Sequence, residues 1–211
     1  MLEFIAFFTC LEFAILNSAY NNIILKPKQV VCLETIYKGN DLICILPTGY
    51  GKSLIFHLIP CLMYARNYKQ DDSFVRWKSL GITAKEVSSI IIVISPLNAL
   101  IQDQISRLGL SGLRASAISV KDVKNIPDEE NFDSSYDFDF KLCEKDQLES
   151  GLYHIVFAHP ESLISTKFGR SLMLSEIYQK RVVSIVVDEA HCILDWGSEF
   201  RTDYGKLGVV C

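Results

Sequence analysis

Apolar and polar positions along this chain alternate between two textures. Short runs rich in β-branched residues occupy 41–45, 89–94, 114–119, 153–158 and 181–187, and in Ile90-Ile91-Ile92-Val93-Ile94 every position is apolar. A run with no polar face predicts a strand covered on both sides, as in a parallel sheet. Between the runs lie stretches that read as helix: 25–37 with Pro27 near its start, the residues after Ser53, those after Pro96, and 141–149. Proline suits a first helical turn, where its missing N–H would have no partner anyway. Strands alternating with helices predict an α/β fold with a mostly parallel sheet of at least five strands, flanked by helices.

Three stretches depart from this rhythm. Residues 1–16 are almost wholly apolar, but Glu3 and Glu12 interrupt them and no positively charged flank precedes them. They also fall short of the roughly 20 residues that span a bilayer, so a buried or partner-covered helix is expected, with no membrane role. Residues 65–85 mix Phe74 and Trp77 with Arg66, Lys69, Arg76 and Lys78, and read as a surface loop or short helix rather than a nucleic-acid contact. Residues 121–150 carry ten acidic residues against four lysines. Such a composition predicts a solvated insertion that ends in a helix. The expected organisation is an apolar segment over 1–24 and one globular domain over 25–211, with the acidic insertion inside it.

The first run leads into Leu46-Pro47-Thr48-Gly49-Tyr50-Gly51-Lys52-Ser53 and then a helix. Strand, tight turn and helix N-terminus together make an anion cradle, because the first helical N–H groups are unpaired and the helix dipole favours negative charge. Residues Thr48, Gly49, Tyr50, Gly51, Lys52 and Ser53 are the candidates for holding a triphosphate, with Lys52 reaching the outer phosphates and Ser53 ligating magnesium. The strict phosphate-loop pattern has glycine where Leu46 stands. One helix upstream, Gln29 offers an amide that complements an adenine edge, although a solvated surface glutamine is the plainer reading.

At the end of the last run stand Asp188 and Glu189. A carboxylate that holds magnesium beside one that polarises the attacking water is what a phosphate loop lacks for hydrolysis; capping of a following helix is the alternative. Ser95 and Pro96, at the end of another run, suit either a nucleic-acid phosphate or simple helix capping. Trp196, Phe200 and Arg201 suit stacking on exposed bases and a phosphate contact, with buried core aromatics as the alternative. His57, His154 and His159 read as structural.

Composition narrows the partners. A formal charge of −4 excludes a protein coated in positive charge, so nucleic acid must be held in a local groove. The seven cysteines are scattered with no C-x-x-C spacing, which predicts reduced thiols and no zinc site.

The ordered motifs LPTGYGKS, VISPLNALIQDQ, VFAHPESL and VVDEAHCILDWGSEFR resemble those of the RecQ family of DNA helicases over roughly residues 25–207. The resemblance implies a RecA-like P-loop domain, the first of two motor lobes, in an ATP- and Mg2+-dependent 3′ to 5′ DNA helicase of repair and recombination, an isomerase acting in the nucleus. It implies adenine recognition by Gln29, triphosphate and metal contacts by Lys52 and Ser53, and metal and hydrolytic roles for Asp188 and Glu189. His191 resembles the residue that links hydrolysis to an aromatic loop in which Trp196, Phe200 and Arg201 sense single-stranded or 3′-tailed DNA. The family usually places an aromatic residue and arginine where this chain has Leu25-Lys26, and its insertion is shorter. No second lobe with its arginine finger follows, so little unwinding is expected of this chain alone. The competing expectation is a one-lobed module that binds ATP, DNA or a partner without turnover.

Overall fold

The computed structural model describes residues 2–18, 20, 23–68, 87–109, 112–118 and 145–191. In chain order the elements are α1 (Leu2–Leu16), α2 (Pro27–Tyr37), α3 (Lys52–Tyr68), β1 (Ile90–Ile94), α4 (Asn98–Leu108), β2 (Ala115–Ile118), α5 (Lys145–Glu149), β3 (Ile155–Ala158), α6 (Pro160–Ile164), α7 (Lys167–Leu174), α8 (Glu176–Arg181) and β4 (Val182–Val187).

The strands form one parallel sheet in the order β2-β3-β1-β4. Alternation along each strand sorts its side chains onto two faces. Ile91, Val93, Ala117, Ile155 and Phe157 point into a core shared with α1, α2 and α3. Ile90, Ile92, Ile94, Val156 and Ala158 point into a second core with Leu148, Leu163, Leu172 and Tyr178 from α5 to α8. The all-apolar β1 is explained by this double cover, since none of its five residues is exposed. The apolar N-terminal stretch is a helix that buries Phe7, Cys10, Leu11, Phe13 and Ala14 and packs along α3. Among the described residues no helix is long and apolar enough to cross a membrane.

The sheet has four strands among the described residues, not five. The run at 41–45 is neither helical nor paired into the ladder. Only Cys44 and Leu46 turn toward the core, while Ile43 and Ile45 are 91% and 87% exposed. β-branched composition supplies strand propensity, but a strand also needs a neighbour to pair with, and among the described residues β4 remains an edge whose six residues are all half-buried. Ile43→Thr or Ile45→Thr should therefore shift stability by no more than about 0.5 kcal/mol in urea unfolding. Ile92→Ala, in the middle of the fully buried β1, should cost about 2–5 kcal/mol.

The segment at 65–85 lies outside the described residues beyond position 68, and the acidic insertion does so before α5.

Candidate active site

Parallel pairing sends every strand's carboxyl end to the same side of the sheet. Ser95 N–H donates to the Ala158 carbonyl (3.1 Å) and Asp188 N–H to that of Ile94 (2.8 Å), so the turns after β1, β3 and β4 sit side by side. His159 Nε2 lies 2.6 Å from Asn98 Oδ1, joining the turn after β3 to that after β1.

The phosphate loop arrives at this side from α2 and α3. The Tyr50 N–H closes a turn on the Pro47 carbonyl (3.1 Å). Gly49 and Gly51 both hold left-handed backbone, at φ of 75° and 91°. At Gly51 a Cβ would also come within 2.7 Å of Gln29 Nε2, whereas at Gly49 it would meet nothing within 4 Å. Gly51 is thus glycine for both backbone and space, and Gly49 leaves an open face beside the first turn of α3, where Lys52 and Ser53 stand.

Gln29 is buried, 2% exposed. Its Oε1 accepts from the Lys26 N–H (2.8 Å), and its Nε2 donates to the carbonyls of Tyr50 (3.1 Å) and Gly51 (3.0 Å). The Lys26 ammonium lies 4.5 Å from the centre of the Tyr50 ring. The start of α2 therefore clasps the loop itself, which excludes the plain reading of Gln29 as a solvated residue.

Ser53 belongs to a buried relay that the sequence motifs do not reveal. Gln104 Nε2 donates to Ser53 Oγ (3.2 Å), and Gln104 Oε1 meets His57 Nε2 (2.8 Å). His57 Nδ1 meets the Tyr20 hydroxyl (2.8 Å). A neutral ring protonated on Nε2 satisfies both contacts, accepting from Tyr20 and donating to Gln104. Burial holds the His57 pKa down at about 4. His57 is a buried structural histidine, and it also steadies Ser53 through Gln104. The i, i+5 separation of His57 from Lys52 and the position of Gln104 on another helix carried no recognisable spacing.

Asp188 is raised above the usual carboxylate range, first by burial and then by the neighbouring Glu189 charge; the Glu189 N–H and the Lys52 ammonium oppose the rise. Lys52 and Asp188 thus share one electrostatic environment although they lie far apart in the chain. The Glu189 N–H donates to Asp188 Oδ1 (3.0 Å), and Glu189 takes a left-handed φ of 52°. Non-glycine backbone of this kind is strained and concentrates at functional sites. His191 Nδ1 lies 3.3 Å from Glu189 Oε2.

Ser95 and Pro96 do not offer the surface expected of nucleic-acid contacts. Both are buried, Ser95 to 2% exposure, because the β1 ladder continues through the Ser95 N–H; the exposed residues of this turn are Leu97, Asn98 and Ala99. Trp196, Phe200 and Arg201 lie outside the described residues, as does Cys192. Among the described residues no group of three metal-ligating side chains gathers.

Residues 26–208 match the DEAD/DEAH box helicase family. The chain is 30% identical to the ATP-dependent DNA helicase Q-like 4B of Arabidopsis thaliana over 90% of its own length and 14% of the relative's. It is 30% identical to the ATP-dependent helicase SGS1 of Saccharomyces cerevisiae over 86% of this chain and 10% of that one. To the ATP-dependent DNA helicase RecQ of Haemophilus influenzae it is 26% identical over 92% and 25%. The chain therefore spans a quarter or less of the length of these relatives.

Proposed function

The chain belongs to the DEAD/DEAH box helicase family, and from that premise we propose that it is the ATP-binding lobe of a RecQ-type helicase that couples ATP hydrolysis to 3′ to 5′ separation of DNA strands. The observation that carries this reading is the loop itself, clasped by Gln29 and carrying two left-handed glycines that lead into the N-terminus of α3, in a chain whose residues 26–208 match the helicase family. A loop with left-handed glycines, an open face at Gly49 and a helix N-terminus fits a triphosphate. A hydroxyl and a half-buried carboxylate, both oxygen donors, fit Mg2+.

Lys52 binds the outer phosphates as a point charge. Ser53, steadied by Gln104, and Asp188 would hold the metal, which when bound neutralises charge on the β- and γ-phosphates. Glu189 takes the proton of the attacking water. His191, in contact with Glu189, relays the state of that carboxylate toward Trp196, Phe200 and Arg201, which meet single-stranded or 3′-tailed DNA. Gln29, with both amide hydrogens on the loop carbonyls and its oxygen on the Lys26 N–H, holds the loop in shape rather than presenting a free amide to adenine. The parent activity belongs to DNA repair and recombination in the nucleus, an isomerase in its effect on the duplex.

Titration of residues 1–211 with a fluorescent ATP analogue should show Mg2+-dependent binding, and unwinding of a 3′-tailed duplex should be negligible because translocation needs two lobes closing on one nucleotide. No binding, or unwinding at the rate of a two-lobed enzyme, would contradict the proposal. Gln104→Leu should raise the Mg2+ concentration needed for half-maximal binding roughly tenfold, since removing the partner that orients a metal ligand weakens metal affinity on that scale.

A further inference from the structure

Two thiols meet beside the loop. Cys32 on α2 and Cys44 in the extended segment before Leu46 bring their sulfurs to 3.3 Å across 12 residues of chain. Cys32 is buried, 6% exposed, and Cys44 is half-buried. Cys44 lies in the segment that joins no ladder, between Ile43 and Ile45, which are 91% and 87% exposed. That segment can yield the further approach of about 1.3 Å that an S–S bond needs, because no paired strand has to move with it. Cys10 and Cys61 are fully buried; they face the Tyr37 hydroxyl and the Asn17 carbonyl. Burial pushes the Cys61 thiol up to about 12. Among the described residues, Cys32 and Cys44 are the pair whose sulfurs touch.

We propose that Cys32 and Cys44 are a modification site at which hydrogen peroxide forms a reversible disulfide that ties α2 to the entry of the phosphate loop. The Cys44 thiolate, reached from solvent, attacks one peroxide oxygen; the O–O bond breaks, and the departing hydroxide takes up a proton and leaves as water. Cys44 is then a sulfenic acid. Cys32 attacks that sulfur, the S–O bond breaks, and a second water leaves. Two thiols and one peroxide become one disulfide and two waters, with two electrons passing from the sulfurs to the peroxide. Burial, and then its contact with Cys44, pushes the Cys32 thiol up to about 11, so it resists direct oxidation and acts as the resolving thiol at short range.

The consequence reaches the loop. Gln29, one helical turn before Cys32, already bonds the carbonyls of Tyr50 and Gly51, and Lys26 lies over the Tyr50 ring. The disulfide adds a covalent tie between the same two pieces of chain, restricting the movement by which the loop admits a triphosphate. This second effect rests on the nucleotide-loop reading; the disulfide itself does not.

The test is brief peroxide treatment of residues 1–211, blocking of remaining thiols, and mass spectrometry of non-reduced peptides. A peptide containing Cys32 linked to one containing Cys44 is expected, reversed by dithiothreitol and absent from Cys44→Ala and Cys32→Ala; Cys44 is only half-buried in a segment that joins no ladder, which keeps at least that variant folded. Affinity for a fluorescent ATP analogue should fall by about threefold or more in the oxidised wild type alone, since both tethered segments contact the loop. Oxidation of Cys44 to sulfenic or sulfinic acid with no link to Cys32 would overturn the proposal. A link that leaves the affinity unchanged would overturn its coupling to the loop. A reduced chain that binds no nucleotide would sink the functional reading while leaving the disulfide standing.

Discussion

Lys52→Ala is expected to weaken ATP binding by at least about tenfold and to remove any DNA-stimulated hydrolysis, with little change in melting temperature. At an effective dielectric near 20, an ammonium about 4 Å from one phosphate charge is worth about 4 kcal/mol before it loses its own hydration, and a triphosphate presents more than one such charge. The side chain makes no comparable contribution to the core, being half-buried at the first turn of α3. A second readout separates this from a general loosening of the loop. Lys52 opposes the upward pressure that burial and Glu189 place on Asp188, so its removal lets Asp188 take a proton at higher pH. Mg2+-dependent binding in the variant should then fail at a higher pH than in the wild type. Glu189→Gln should behave differently, keeping nucleotide affinity while lowering hydrolysis by about 10²–10⁴, the usual contribution of a positioned general base. If Lys52→Ala bound ATP as well as the wild type, the loop would not be a nucleotide site and the likeness to helicases would describe the fold alone.

The legible parts of this protein are those whose burial is decided locally. β1 and β3 are continuous apolar runs covered on both faces, β4 is a mostly β-branched run half-buried beside them, and the helix from Pro27 to Tyr37 begins and ends where its proline and last apolar turn place it. The loop glycines were legible too, since only glycine tolerates the backbone they adopt. What sequence could not supply was partnership. Residues 41–45 have the composition of a strand, and nothing local says that Ile43 and Ile45 will face solvent without a neighbour. Ser95 looked like a surface donor because its motif follows a strand end, yet the ladder runs one residue further and buries it. Gln29, Gln104, His57 and Tyr20 belong to four different segments, so their hydrogen bonds to the loop and to Ser53 appear only once α2, α3 and α4 are packed together.

Acid should unfold this protein earlier than its carboxylates alone would dictate. His57 and His154 are 1% and 0% exposed, and burial lowers each from about 6.5 to about 4. His57 feels Arg107 as well. His154 accepts from the Arg114 N–H at Nδ1 (3.0 Å) and has the Arg114 guanidinium 3.0 Å from Nε2, with Arg181 also near enough to disfavour its imidazolium. Above pH 6.5 both rings are neutral in the folded and unfolded chain, and stability does not depend on them. Below it, the unfolded chain binds protons that the fold refuses. Stability then falls as pH drops from about 6.5 to about 4, by up to roughly 1.4 kcal/mol per pH unit for each histidine, or about 3 kcal/mol each across the window. A domain of ordinary stability, about 5–15 kcal/mol, would lose much of its margin. Urea midpoints measured between pH 7.5 and 5 isolate the histidines, since most carboxylates stay ionised there. His57→Gln should roughly halve the slope by removing one of two similar titrations; a wild-type midpoint that stays flat across this range would mean the rings are not held neutral.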